Sequence, residues 1–194
     1  PVLGLPMQAP TALRPLLRAA LIASEVRTGM APGDSAPRWS GDPIDVALAQ
    51  RYTELFGAPD AILAETRRHF PFDLAKRREA GVFANGTEVL FAIKGAWESL
   101  RPLIGQIQGG DGRVIRAEDE ALVACDGIVH RLSSQGQRVI AIASRRLDRL
   151  PDPKAPEESL ERGLVLSGFL ALADPVREEV PEAVTRCHTA GIRV

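Results

Sequence analysis

The chain has 194 residues, 45% hydrophobic and 25% charged, with 24 Lys and Arg against 25 Asp and Glu and a net charge of -1. That makeup suits one globular domain, or one domain plus a piece of another. It supplies no basic field for nucleic acid and no apolar run of about 18 residues for crossing a bilayer.

In chain order, residues 12–27 set Leu13, Leu16, Leu17, Ala20 and Leu21 at helical spacing behind Thr11 as N-cap, which predicts a helix. Residues 28–41, rich in Gly, Pro and Ser, read as an exposed loop. Asp42-Pro43 starts a second helix, the aspartate capping free amides and the proline suiting the first helical position. It runs to Phe56 and stops at Gly57. Residues 65–72 form a strand, and 81–84 with 87–94 a hairpin about Asn85-Gly86, a two-residue turn signal. Next come a helix from near Ala96 to near Gly105, a glycine-rich loop at 108–113 and an amphipathic helix at 116–134. That helix faces Leu122, Val123, Cys125, Ile128, Val129 and Leu132 inward, and Gly136 ends it.

The apolar run Val139 to Ala143, within a strand at 138–145, belongs at the centre of a sheet. A proline-rich surface loop covers 148–159, followed by a strand at 164–173, a helix at 178–190 and a new strand from Ile192. The expected fold class is α+β: an antiparallel β-sheet flanked by helices over residues 10–163, with a short C-terminal βαβ remnant at 164–194. The start on Pro1 without a methionine and the end on a strand begun at Gly191-Ile192-Arg193-Val194 suggest a piece excised from a longer protein.

Cys125 and Cys187 lie alone in helical patterns, and His69, His130 and His188 are far apart, so no metal site is expected. Neither glycine-rich phosphate loop, Gly-x-x-x-x-Gly-Lys-Ser/Thr or Gly-x-Gly-x-x-Gly, occurs. If the chain holds a nucleotide, side-chain cations must meet the phosphates.

Lys94 closes a strand before the small residues Gly95 and Ala96, which let a ligand approach the backbone. Its ammonium suits a purine edge or a phosphate, the alternative being a solvated lysine at a strand end. Phe72, at another strand end, can stack on a base or sit in the core. The cluster Lys76-Arg77-Arg78 attracts phosphates or is a wet loop. Asp45 supports the helix dipole, accepts from an adenine amino group or pairs a cation of the pocket. Arg138 pairs a phosphate bidentately, or a nearby carboxylate.

These segments occur in an order that resembles the nucleotide-binding domain of P-type cation-transporting ATPases. Gly41-Asp42-Pro43-Ile44-Asp45 resembles the family's acidic GDPTE-type segment, and Phe70-Pro71-Phe72-Asp73 with Arg77 its PFDSxxKR strand end. Lys94-Gly95-Ala96-Trp97-Glu98 is similar to KGAPE, Gly136 to Arg145 to GxRVLAxAxR, and Asp174-Pro175-Val176-Arg177 to the DPPR segment that re-enters the phosphorylation domain. The likeness spans about residues 13–194. Ile44 stands for a usual threonine, Leu74 for a serine, Arg77 for a lysine and Trp97 for a proline.

The resemblance implies an ATP-binding domain at 10–163 and part of a haloacid-dehalogenase-like phosphorylation domain at 164–194. It implies that Phe72 stacks on adenine, that Lys94 and Gly95 line the purine pocket with Asp45 hydrogen-bonding there, and that Arg77 and Arg138 meet phosphates. Asp174 and Arg177 would lie at the hinge or the phosphate-facing side of the phosphorylation domain. The phosphorylated aspartate of Asp-Lys-Thr-Gly-Thr and the magnesium ligands would lie outside this chain, so Mg-ATP is bound here but not turned over. The partners implied are ATP and the phosphorylation, actuator and transmembrane domains of a pump whose cytoplasmic part this is. Two other readings stand beside it: a haloacid-dehalogenase-like phosphatase fragment, and a non-catalytic interaction module.

Overall fold

The computed structural model describes residues 10–29, 38–109, 111–173 and 179–193. Its elements are α1 (Pro10–Ile22), β1 (Val26–Gly29), β2 (Arg38–Gly41), α2 (Pro43–Phe56), α3 (Asp60–Ala64), β3 (Thr66–Asp73), β4 (Arg78–Ala84), β5 (Val89–Gly95) and α4 (Trp97–Leu100). After a 3-10 turn at Arg101–Leu103 come β6 (Ile104–Gln108), β7 (Val114–Arg116), α5 (Asp119–Ser134), β8 (Arg138–Leu147), β9 (Leu164–Leu172) and α6 (Val180–Thr189). Asp174 and Arg177 lie outside the described residues.

Seven strands make one sheet in the order β3-β4-β5-β8-β9-β6-β7, and β1 pairs with β2 apart from it. Every neighbouring pair is antiparallel except β6 and β9. Alternate residues divide two cores. Phe91, Ile93, Ala141 and Ala143 face a cluster with Trp97, Leu100, Leu122 and Cys125, whereas Ala92, Ile140 and Ile142 face Leu17, Leu21, Leu48 and Tyr52 of α1 and α2. The result is a mixed α+β layer with helices on both faces of a largely antiparallel sheet. Burial of Cys125 pushes its thiol up to about 11, as suits a packing residue.

The second helix starts and stops where its sequence says. Asp42 Oδ1 accepts from the Ile44 amide at 2.8 Å, Pro43 opens the first turn, and Gly57 at φ 84 returns its N–H to the Thr53 carbonyl. Elsewhere the structure corrects the expectation. The first helix ends at Ile22, and the loop expected at 28–41 carries β1 and β2 at its ends. The helix expected to reach Gly105 stops at Leu100, because Pro102 removes a donor and Ile104 begins a strand.

Val123, expected inward on α5, is exposed, while Leu122 and Cys125 hold the buried stripe. The hairpin after β4 has four loop residues, not two. Ala84 pairs with Val89, and Asn85 Oδ1 accepts from the amides of Thr87 and Glu88 at 3.0 Å each. Ile192 and Arg193 join no strand, and Ile192 is exposed. The parallel neighbour of β9 is the earlier β6 rather than a strand after α6. Strand β9 is thus an inner member of the sheet, hydrogen-bonded on both sides.

Candidate functional site

At the ends of β3 and β5 and the start of β8, a cavity of about 590 Å³ opens. Its walls include Phe72, Arg77, Lys94, Gly95 and Arg138, residues far apart along the chain, with Asp42, Glu79 and Glu98. A second hollow of about 400 Å³ holds Glu25, Asp45 and His69, and both hollows are bordered by Asp42, Phe72 and Glu79.

Phe72 lies here because β3 breaks step. Phe70 pairs with Ala80 but Asp73 with Arg78, so three steps on β3 match two on β4. Pro71, inside this bulge, has no N–H for a ladder. Phe70 stays buried, edge-on to Phe91 at 6.2 Å, while Phe72 turns out and is 52% exposed. The alternative of a core phenylalanine at 72 is thereby removed.

Beyond Phe72 the chain makes a tight turn. Asp73 Oδ1 accepts from the amides of Ala75 at 2.8 Å and Lys76 at 2.9 Å, bonds that hold its carboxyl below the usual range. Leu74 at the tip is 83% exposed. Arg77 takes a left-handed backbone, φ 51, and reaches Glu98 at 3.4 Å. Lys76 turns away to Glu157 and Glu158, and Arg78 makes a bidentate pair with Glu161 at 2.8 and 2.7 Å. Of the three basic residues, Arg77 alone lines the cavity.

Gly95 has a structural reason. A Cβ there would meet the Arg77 carbonyl and the Arg78 Cβ at 2.6 Å each. At the next residues Ala96 caps α4 and Trp97 begins it. Trp97 Nε1 donates to Asp126 at 2.6 Å, the same carboxylate that Arg101 grips, and the indole meets Phe169 edge-on at 5.1 Å. The guanidinium of Arg101 is the main reason that the Asp126 carboxyl sits below its usual range.

Lys94 is not a solvated strand end. Its ammonium is buried among three acceptors: Asp45, Ser24 Oγ at 2.6 Å and Glu79 Oε1 at 3.1 Å. Asp45 is 2% exposed, and its other oxygen accepts from the Glu25 amide at 3.0 Å. Of the roles weighed for Asp45, pairing a cation of the pocket is what the geometry contains. Arg138, by contrast, is exposed, and no carboxylate pairs it among the described residues.

Sequence reading missed three members of this cluster: Ser24, Glu79 and His69. The ring nitrogens of His69 are buried without hydrogen-bond partners, 3.9 Å from Glu25 on one side and Glu79 on the other. Burial lowers the His69 pKa, against the upward pull of the Ala23 carbonyl and Glu25. Burial also raises Glu79, against the pull of Lys94. A carboxylate inside a strand, opposite a lysine in the facing strand, is a signal that correct hairpin register would have revealed.

A family profile described as P-type ATPase, cytoplasmic domain N, matches residues 12–179. A probable cation-transporting ATPase F of Mycobacterium tuberculosis is 30% identical over 182 residues, 92% of this chain and 20% of that protein. Calcium-transporting ATPase 1 of Yarrowia lipolytica is 28% identical over 79% of this chain and 16% of its own length. A sodium/potassium exporting P-type ATPase of Schizosaccharomyces pombe, cta3, is 29% identical over 79% of this chain and 15% of its own length. The chain therefore spans a fifth or less of the length of these relatives.

Proposed function

Because the chain belongs to the P-type ATPase cytoplasmic domain N family, we propose that it binds ATP in the cavity beside Phe72 and presents the γ-phosphate to an aspartate outside this chain. Phe72 stacks on the adenine. Arg77 and Arg138 meet the phosphates, while Lys94, held by Asp45, forms the floor beside Gly95. Asp174 and Arg177 serve the hinge toward a phosphorylation domain, and the magnesium ligands belong to that domain. The parent protein is then a cation pump, with this piece on the cytoplasmic side of its membrane. Strand β9 belongs with the nucleotide-binding sheet in this reading, so the passage between domains follows Leu172 rather than residue 163.

The observation that carries the reading is the meeting of one exposed ring and two accessible guanidinium groups in a single cavity without a phosphate loop. One stacked ring and a few solvated charges bind weakly. A Kd near millimolar, roughly -4 kcal/mol, is expected. ATP titration followed by backbone amide NMR should shift signals around Phe72, Lys94 and Arg138 in a saturable way. Phe72→Ala should weaken binding roughly five- to a hundredfold, since base stacking contributes about 1–3 kcal/mol. Absence of any saturable shift up to ~10 mM ATP, about ten times that Kd, would overturn the reading.

A further inference from the structure

Of the basic run that follows Phe72, Arg77 is the member that lines the cavity, and it does so in a backbone conformation its side chain disfavours. Among the described residues it is the one non-glycine with a positive φ, 51°. Such a residue keeps that conformation only where its surroundings enforce it. Resting on the ATP-binding reading above, we propose that Glu161 is a positioning residue for the nucleotide. It holds the Arg77 guanidinium at the phosphates from behind, through Arg78 and Ser99.

The hold is a relay of hydrogen bonds that reaches both chain neighbours of Arg77. Glu161, 3% exposed, accepts from Arg78 Nε at 2.8 Å and from Nη2 at 2.7 Å. Arg78 Nη1 donates to Ser99 Oγ at 3.1 Å, and that hydroxyl donates to the Lys76 carbonyl. The residue after Arg77 and the residue before it are thus tied to one buried carboxylate. Between them, the Arg77 carbonyl accepts from the Ala96 amide at 3.0 Å, where Gly95 leaves room for it.

A bidentate pair between guanidinium and carboxylate fixes direction as well as distance, and an enclosed one is little screened by salt. The contact that Glu98 makes with Arg77 itself is of another kind. At 3.4 Å, between side chains 56% and 68% exposed, it adds little restraint. Glu157 and Glu158, in the same segment as Glu161, draw Lys76 aside, so Arg77 is the cation this turn presents.

The test is ATP titration, followed by backbone amide NMR, on the unaltered chain and on Arg77→Gln, Glu161→Gln and Ser99→Ala. Each of the last two is also combined with Arg77→Gln. Arg77→Gln should weaken ATP roughly tenfold, as loss of one charged hydrogen bond predicts. Glu161→Gln keeps the side chain's shape without its charge, and Ser99→Ala cuts the relay with the buried pair intact. Each should weaken ATP roughly fivefold. In the Arg77→Gln background neither should cost more than roughly twofold, because residues acting through one group are not additive. A merely structural role, which loosens the sheet or the seat of Phe72, weakens ATP whether or not Arg77 is present. Losses that persist in full in the Arg77→Gln background therefore overturn the inference. So does an affinity left unchanged by Arg77→Gln, Glu161→Gln or Ser99→Ala. If Glu161→Gln does not fold, Ser99→Ala decides by the same comparison. Failure of the unaltered chain to bind ATP sinks the earlier reading, whereas ATP binding that ignores Glu161 and Ser99 sinks only this one.

Discussion

A buried ammonium costs several kcal/mol in lost hydration unless charged partners surround it, and removing one partner is worse than never having built the pair. Lys94 meets that demand with Asp45, Ser24 and Glu79, drawn from a helix, a loop and a neighbouring strand. His69 adds a pH-dependent charge beside them. Its folded pKa lies below its ordinary 6.5, so between those two values the unfolded chain holds more protons than the folded one. The stability that His69 contributes is therefore fully present above about pH 6.5 and is lost as the solution is acidified through that range. Glu79 has the opposite sign, because its raised pKa makes the folded state hold the extra proton at pH values above 4.5. We expect His69→Gln to flatten the fall in Tm between about pH 7 and 5.5. A Tm profile in that window as steep as the original would rule out the histidine as its source.

At the scale of elements, close approaches decide which glycines matter. The end of α1 rests directly on β4, and a Cβ at Gly81 would lie 1.9 Å from the Ile22 carbonyl oxygen. Backbone on both sides leaves little room to yield, so Gly81→Ala should lift the helix off the sheet. A loss of about 3 kcal/mol in urea unfolding is expected, at the upper end of overpacking costs. Gly86 is the control. No atom lies within 4 Å of a Cβ there and its φ is not positive, so Gly86→Ala should stay within about 0.5 kcal/mol. Comparable losses at both sites would refute the contact as the cause.

The same hairpin shows how far local reading reaches. Apolar runs on both sides of Asn85-Gly86 marked two strands, but a two-residue turn sets the register differently. Pairing Ala84 with Thr87 would put Lys94 opposite Arg77; the four-residue loop pairs Ala84 with Val89 and puts Lys94 opposite Glu79. A shift of two residues leaves every side chain on its own face. The hydrophobic pattern therefore could not distinguish the registers, although the chemistry of the site depends on which one forms.

For the whole molecule, the inner strand β9 ties the sheet together. It bonds β8 on one side and β6 on the other, and β7 reaches the sheet only through β6. A chain cut after residue 163 would leave the edge of β8 open and strand the β6–β7 pair, and two paired strands alone are marginal in water. Residues 10–163 should therefore fail to show a cooperative thermal transition, while 10–173 should unfold in one step by circular dichroism. A cooperative transition in the shorter piece would return the domain passage to 163.

Runs of apolar residues, caps and turn-forming pairs are local, and they were enough to specify the helix at 43–56 and the central position of Val139 to Ala143. The outward turn of Phe72, the parallel seat of β6 and the enclosure of Lys94 by Asp45 and Glu79 came only with the assembled sheet. Each of those depends on groups that lie distant along the chain and meet only when strand registers and helix docking are set, and no short window of sequence carries that information.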